Sequence, residues 1–401
     1  MQKLYYEDAY KKFFTAEITA VIEKENTFHI ELDQTYFYPE GGGQPSDTGF
    51  IEDSPISFVY ESDGHIYHVT DKKPIKIHKT KCTLNWERRF DYMQQHLGQH
   101  ILSACFLELF NAHTVGFHLG EESITIDIDS VLGASMIQKA EIFANDIIFD
   151  NIPVETLYPS KSELKKLPLK KPLPQTRSPL RLVKIGDLDL NPCCGTHPRS
   201  TLEVQALKIN KWEKYKGGMR VYFLCGKRAI NDYFAKSSFV LSLSSSLKCS
   251  EKDALIKIEK LTQDFDKLSS ENRKLKSEVA DYEVQNLLLN SEKIQHVQIV
   301  KALYDHVDPK YITLLASKLT DSKDVIVLFG INSGDIANLI FMCSKDLKKM
   351  HMGNLLKDTM TLIDGKGGGS YFSAQGGGKD TANLSSAIDY ALMKIKQSLS
   401  K

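Results

Sequence analysis

The stretch WERRFDYMQQHLGQHILSACFLELF, residues 86–110, decides how this chain is read. Leu97, Ile101, Leu102, Cys105, Phe106 and Leu109 recur at steps of three and four, the spacing of a helix with one buried face. His96 and His100 lie four apart on that helix, so both imidazoles leave one side and can reach one ion. A second pair, Cys193 and His197, lies four apart in NPCCGTH (191–197), where Pro192 and Gly195 dictate a turn. Three nitrogens and one sulfur suit zinc in tetrahedral coordination, one ion per chain. Either pair alone reads as a surface histidine or a buried thiol; two half-sites in one domain favour the metal. Cys194 is a rival ligand, one residue closer to His197. Position 97 is leucine, where a zinc peptidase carries its glutamate base, and the HxE/PCxxC pattern of nucleobase deaminases is absent.

The flanks of the helix extend the picture. ESITIDID alternates as a strand, ASMIQKAEIFANDIIFDN is helix-like, and EVQALKI and RVYFLCG flank the turn YKGG as two further strand candidates. An α+β domain over 85–235 is expected, with a Pro- and Lys-rich connector at 165–179. Upstream, Phe28, Ile30 and Leu32 alternate with polar neighbours, as do Ile66 and His68 after the Asp63-Gly64 turn. With FYPEGGGQPSDTG (37–49) too rich in Gly and Pro for a regular element, a small antiparallel β-barrel is expected over 1–84.

Downstream, Ile258, Leu261, Phe265, Leu268, Asn272, Leu275, Val279, Tyr282, Asn286 and Leu289 form a heptad seam within a helical segment, 236–298. Both Asn residues fall at position a, where a buried amide fixes register, so a coiled-coil homodimer is expected; packing on its own domain is the alternative. Residues 299–401 alternate strand-like and helix-like stretches, an α/β domain ending in GKGGGSYFSAQGGGKD (365–380). The glycines do not make a phosphate-binding P-loop, since Gly378-Lys379 is followed by Asp380. Basic stretches at 161–171 and 208–220, the second with Trp212 and Tyr215, are candidates for phosphate contact and base stacking.

Composition sets the bounds. The 401 residues are 42% hydrophobic and 25% charged, which excludes a wholly disordered or collagen-like chain. Lys+Arg and Asp+Glu number 51 each, so any nucleic-acid surface must be local. Seven sparse cysteines argue for reduced thiols. The N-terminus carries no signal peptide and no apolar run nears membrane-spanning length, so a cytoplasmic protein with no membrane partner is expected.

Four motifs are now in view: FYPEGGGQPSDTG, HLGQH with its following strand pair HTVGFHLGEESITIDID, CCGTH, and GGGSYFSAQGGG. Together, in this order, they resemble the editing and C-terminal domains of alanyl-tRNA synthetase. The editing part is also similar to that of threonyl-tRNA synthetase. No DHH triplet accompanies them, and with the barrel expected from residue 1 no aminoacylation domain is expected ahead of it. The resemblance is therefore to the free-standing editing proteins of the AlaX family in their long form. It implies ATP-independent hydrolysis, in trans, of tRNA(Ala) mischarged with serine or glycine, with zinc on His96, His100, Cys193 and His197. Substrate contacts are expected from Gly41, Gly42, Gly43, Gln44, Gln99 and Thr196. Contacts to tRNA are expected from Gly367, Gly368, Gly369, Gly376, Gly377 and Gly378. The family commonly has Gly at the position of Cys194, and the synthetases commonly have Thr at that of Leu97. The rival expectation is a non-catalytic tRNA-binding module that zinc merely stabilises.

Overall fold

Alternating burial along Thr27–Leu32 and His65–Thr70 marks strands with one face on a core. They belong to an antiparallel seven-stranded sheet in the computed structural model, which describes residues 2–74, 79–121, 123–164, 167, 180–347 and 350–400. Its end strands, Ser54–Ile56 and Phe58–Ser62, follow one another in sequence and are joined through Ser57, whose N–H donates to Val69 O at 3.0 Å. The sheet therefore curls into a nearly closed barrel around Ile30, Leu32, Phe37, Val59 and Ile66, as the period-two pattern requires.

The barrel hands over to helix α1 (Trp86–Phe110), which Asn85 caps by accepting from Arg88 N and Asn111 ends in the left-handed conformation. Leu97, Ile101, Leu102, Cys105 and Phe106 bury the expected face, while Leu109 stays 40% exposed. Helices α1 and α2 (Ala134–Phe149) share one core with the antiparallel sheet of Thr114–Leu119, Ile124–Ile128, Gly218–Cys225 and Leu207–Tyr215. A Cβ at Gly98 would stand 2.1 Å from Cys225 Sγ, so only glycine lets α1 lie this close to the sheet. A second sheet pairs Val154–Leu157, Leu182–Ile185 and Asp189–Pro192, bringing the CCGTH turn back to α1. The sequence EVQALKI is only partly strand. Glu203 and Val204 sit in a 3-10 turn, held where Glu203 accepts from Arg199 N and Tyr10 OH, and the strand starts at Leu207. Most of the connector 165–179 lies outside the described residues. Short helix α3 (Lys161–Leu164) precedes it, and α4 (Gly226–Leu247) follows the last strand.

Compact units span Met1–Leu243 and Ser244–Lys401. In the second, six strands in the order Glu292–Ile294, Val297–Asp305, Val325–Asn332, Ala337–Cys343, Ser373–Gly378 and Gly365–Gly369 form one mixed sheet. The continuously apolar VIVLFGI is buried on both faces, as expected of a strand covered on both sides. Ile326 and Leu328 face α7 (Met352–Met360) and α8 (Leu384–Leu399); Val327, Phe329 and Ile331 face α6 (Pro309–Thr320). YITLLASKL is thus helix, begun by Pro309 behind the Asp308 cap.

The seam lies on one helix, α5 (Ala254–Leu289). Its packed stripe, however, is Ala280, Val284, Leu287 and Leu288, against the α6 side of the core. Seam positions Phe265, Leu268, Leu275 and Tyr282 are 53–73% exposed, and Asn272 and Asn286 are exposed as well. Beyond the end of α5 the chain runs into the strands Glu292–Ile294 and Val297–Asp305 and offers the seam no second helix there. No helix among the described residues is long and apolar enough to cross a membrane.

Candidate metal centre

A buried ion pair sets the frame. Arg89, fully buried on α1, donates to Asp47 (2.9 Å from Nε), Ala9 O (2.9 Å) and Tyr36 O (2.6 Å). Breaking such a pair strands a charge, so α1 and the glycine-rich loop 37–49 hold one relative position. Within that loop Gly42 (φ 55°) and Gly43 (φ 79°) take left-handed conformations that glycine alone adopts freely. They also admit close neighbours, for a Cβ at Gly42 would stand 2.3 Å from Cys194 Sγ and one at Gly43 2.5 Å from the Phe117 ring.

His96 and His100 project from α1 toward Cys193 and His197, and the four potential ligand atoms all lie within 4.8 Å of one another. Cys193 Sγ is 3.4 Å from His96 Nε2 and 3.5 Å from His197 Nε2. Sulfur and nitrogen sharing a tetrahedral zinc ion stand roughly 3.5 Å apart, from bonds of about 2.3 and 2.0 Å. The outer nitrogens of two rings are already occupied. His96 Nδ1–H donates to Gln44 Oε1 at 2.9 Å and His100 Nδ1–H to Asp189 Oδ2 at 3.0 Å. Both Nε2 atoms are thus turned toward the sulfur, where an ion can take the place of a proton, and His100 Nε2 is buried without a hydrogen-bond partner among the described residues. The donor set fits a metal ion.

Electrostatics agree. Burial opposes a charge on Cys193, but His96, His197 and His100 outweigh it and hold the thiol well below its ordinary range. Burial lowers His197 to about 3 despite the thiolate beside it. Burial also works against charge on His100, yet Cys193 and Asp189 override it and raise the ring to about 10. Cys194 goes the other way, with burial and then the neighbouring Cys193 raising its thiol. Its sulfur turns to Gly42, outside the four-residue group, so it does not replace Cys193 there.

The turn bearing Cys193 is held by its carbonyls. Arg181 Nη1 donates to Cys193 O (2.7 Å) and Gly195 O (2.9 Å), its guanidinium lying over the Tyr6 ring, and Tyr6 OH donates to Cys194 O (2.9 Å). The group opens onto a cleft of about 1070 Å³, lined by His96, His100, Cys193, Gly42, Gly43 and Gln99 on the metal side. Val115 and Phe117, on the edge strand Thr114–Leu119, form part of its wall. Gln44 and Thr196 are buried and spent on each other: Gln44 Nε2 donates to Thr196 Oγ1 and Gln44 Oε1 accepts from Thr196 N. Gly41 closes the loop through paired bonds with Gln44. Asp189, Arg181, Tyr6, Ser103 and Thr114 were not singled out from sequence. Ser103 alone had a local signal, one turn beyond His100 and two beyond His96 on the same helical face.

The six glycines near the C-terminus lie on two paired strands of the second unit. Cβ atoms at Gly367, Gly369, Gly376 and Gly378 would meet helix, turn or cross-strand atoms at under 3 Å. At Gly368 nothing lies within 4 Å, and at Gly377 the nearest atom is Asn338 Oδ1 at 3.2 Å. Neither has a positive φ, so packing and backbone conformation leave Gly368 unexplained.

Comparison with known proteins places these features. Residues 180–222 match the family described as "Threonyl and Alanyl tRNA synthetase second additional domain", and residues 295–400 match the DHHA1 domain. The chain is 29% identical to "Alanyl-tRNA editing protein AlaX-L" of Pyrococcus horikoshii, over 100% of this chain and 99% of that protein. It is 28% identical to "Alanyl-tRNA editing protein Aarsd1" of Mus musculus, over 87% of this chain and 84% of that one. With the alanine–tRNA ligase of Methanobrevibacter smithii it shares 28% identity over 97% of this chain but 45% of the ligase.

Proposed function

We infer, from a chain that resembles alanyl-tRNA editing proteins of the AlaX type from end to end, that this protein is a trans-editing deacylase. It hydrolyses the ester joining a wrong amino acid, chiefly serine and also glycine, to tRNA(Ala). The observation that carries this reading is the three-imidazole, one-thiolate group at the floor of an open cleft. Zinc, one ion per chain, is the metal that donor set prefers. When bound, it supplies positive charge for the ester carbonyl.

The chain's own residues supply the rest. Gly42 and Gly43 keep the wall bare so that the 3′ end of the tRNA reaches the floor, and Gln99 lines the amino-acid end. Gln44 and Thr196 act through His96, and Gly41 shapes the loop. In the second unit the paired strands that hold Gly367 to Gly369 and Gly376 to Gly378 meet the tRNA, with Gly368 and Gly377 on the open side and the other four packed against their neighbours. Gly368, free of any packing demand, supports this most directly. Two copies of the chain pair through the exposed seam of α5. Seven free cysteines fit the cytoplasm.

A second reading draws on the ligand count. Four protein ligands close a tetrahedral shell, and closed shells commonly serve structure, which makes the protein a tRNA-binding module. Incubating purified protein with seryl-tRNA(Ala) separates the two. Release of serine much faster than alanine from the same tRNA supports the deacylase. Full zinc content with no release from any charged tRNA(Ala) supports the module.

A further inference from the structure

The face of α1 that carries His96 and His100 continues for one more turn. At about 100° per residue, Gln99 and Ser103 fall within the same arc as the two histidines. Gln99, 4% exposed, lines the cleft and donates from Nε2 to Ser103 Oγ at 2.8 Å. Thr114, across the cleft corner on the edge strand Thr114–Leu119, donates from Oγ1 to the same oxygen at 2.7 Å. All three residues line the cavity that holds the metal group.

The arrangement has a definite polarity. A serine hydroxyl accepts at most two hydrogen bonds, and Ser103 Oγ receives both here. Its own proton is left to donate. Gln99 spends its amide nitrogen on Ser103, and its Oε1 has no hydrogen-bond partner among the described residues. The wall therefore presents one donor and one acceptor side by side, beside the second ligand histidine. A group that both donates and accepts at one atom is a hydroxyl.

We propose that Gln99, Ser103 and Thr114 form the subsite that reads the amino-acid side chain, binding the seryl hydroxyl between Gln99 and Ser103 while Thr114 orients Ser103. This rests on the ester-hydrolysis reading above and adds the groups that select the substrate. Serine satisfies both polar atoms. Glycine leaves room for a water that satisfies them. The alanine methyl displaces that water and bonds to neither, so a correctly charged tRNA is spared. The order of turnover is then serine, glycine, alanine.

The test compares kcat/KM of the full-length zinc-loaded protein on seryl- and glycyl-tRNA(Ala), with zinc content measured alongside. In Gln99→Leu and Ser103→Ala the seryl value falls roughly tenfold to a hundredfold further than the glycyl value, at unchanged zinc content. Ser103→Thr, which keeps the hydroxyl, restores the serine preference, and Thr114→Val shows a smaller loss in the same direction. Equal losses on both esters, or no loss on either, overturn the subsite. A wild-type protein that discharges neither ester overturns the deacylase reading itself, and this inference with it.

Discussion

His100 Nδ1 and Asp189 Oδ2 lie 3.0 Å apart across 89 residues of chain, and this contact orients the ring that completes the donor set. Asp189 is itself held, accepting from Asn191 Nδ2 on its other oxygen. An imidazole whose outer nitrogen donates to a carboxylate is fixed in tautomer and rotation and is a better metal base. Asp189→Asn is therefore expected to weaken zinc binding by about 10–100-fold, by the general behaviour of such partners. Competition against a chelator of known affinity measures it. Unchanged affinity would assign the carboxylate to folding alone.

The ligand assignment itself divides two adjacent cysteines. Cys193 belongs to the four-residue group, whereas the Cys194 sulfur lies against Gly42. Elemental analysis should find about one zinc per chain in the wild type and in Cys194→Ala, and little in Cys193→Ala or His100→Ala. Zinc kept by Cys193→Ala and lost from Cys194→Ala would move the ligand by one residue.

The two half-sites were legible because each is local, one in helical spacing and one in a turn. What orients them was not. Gln44 meets His96 across 52 residues and Arg181 reaches the Cys193 carbonyl from another strand, and no spacing rule records such contacts. The barrel and α1 followed their periodicities because burial is one-sided there. The seam on α5 shows the limit of the same rule. It foretold a helix, while the face packed within the unit centres on Ala280, whose small side chain lets a neighbouring helix approach. Apolar periodicity identifies a face able to be buried, and the partner comes from the fold or from another chain.

In the barrel core, His68 is fully buried and neutral: Nδ1–H donates to Ile30 O and Nε2 accepts from Thr35 Oγ1, both at 2.9 Å. Burial lowers it from 6.5 to about 4. Below pH 6.5 the unfolded chain takes up a proton that the folded barrel refuses. Stability is therefore intact above that pH and is lost as pH falls toward 4, by roughly 3 kcal/mol in all. Urea unfolding at pH 7.0 and 4.5 should show this loss in the wild type. His68→Gln should be less stable at pH 7 but should lack this component of the decline. Identical pH dependence in both proteins would place the acid sensitivity elsewhere.

The last prediction concerns the uncovered side of α5. Ile258, Leu261, Phe265, Leu268, Leu275 and Val279 are 39–70% exposed along one stripe, distinct from the stripe that Ala280, Val284, Leu287 and Leu288 pack. A monomer leaves that stripe in water, and a helix carrying a sustained apolar seam gains most by burying it against a like seam. Asn272 and Asn286, fourteen residues apart and both exposed, argue for a second copy as the occupant: in a two-stranded pairing each faces its own counterpart and the amides satisfy one another. Sedimentation at micromolar concentration should therefore report a dimer. Leu268→Lys with Leu275→Lys should convert it to a monomer, because like charges then meet across the seam while the packed face is untouched. Asn272→Leu should leave the protein associated but loosen the choice of register and strand number. A wild-type monomer at that concentration, or a double-lysine variant that still dimerises, would take the seam out of the interface.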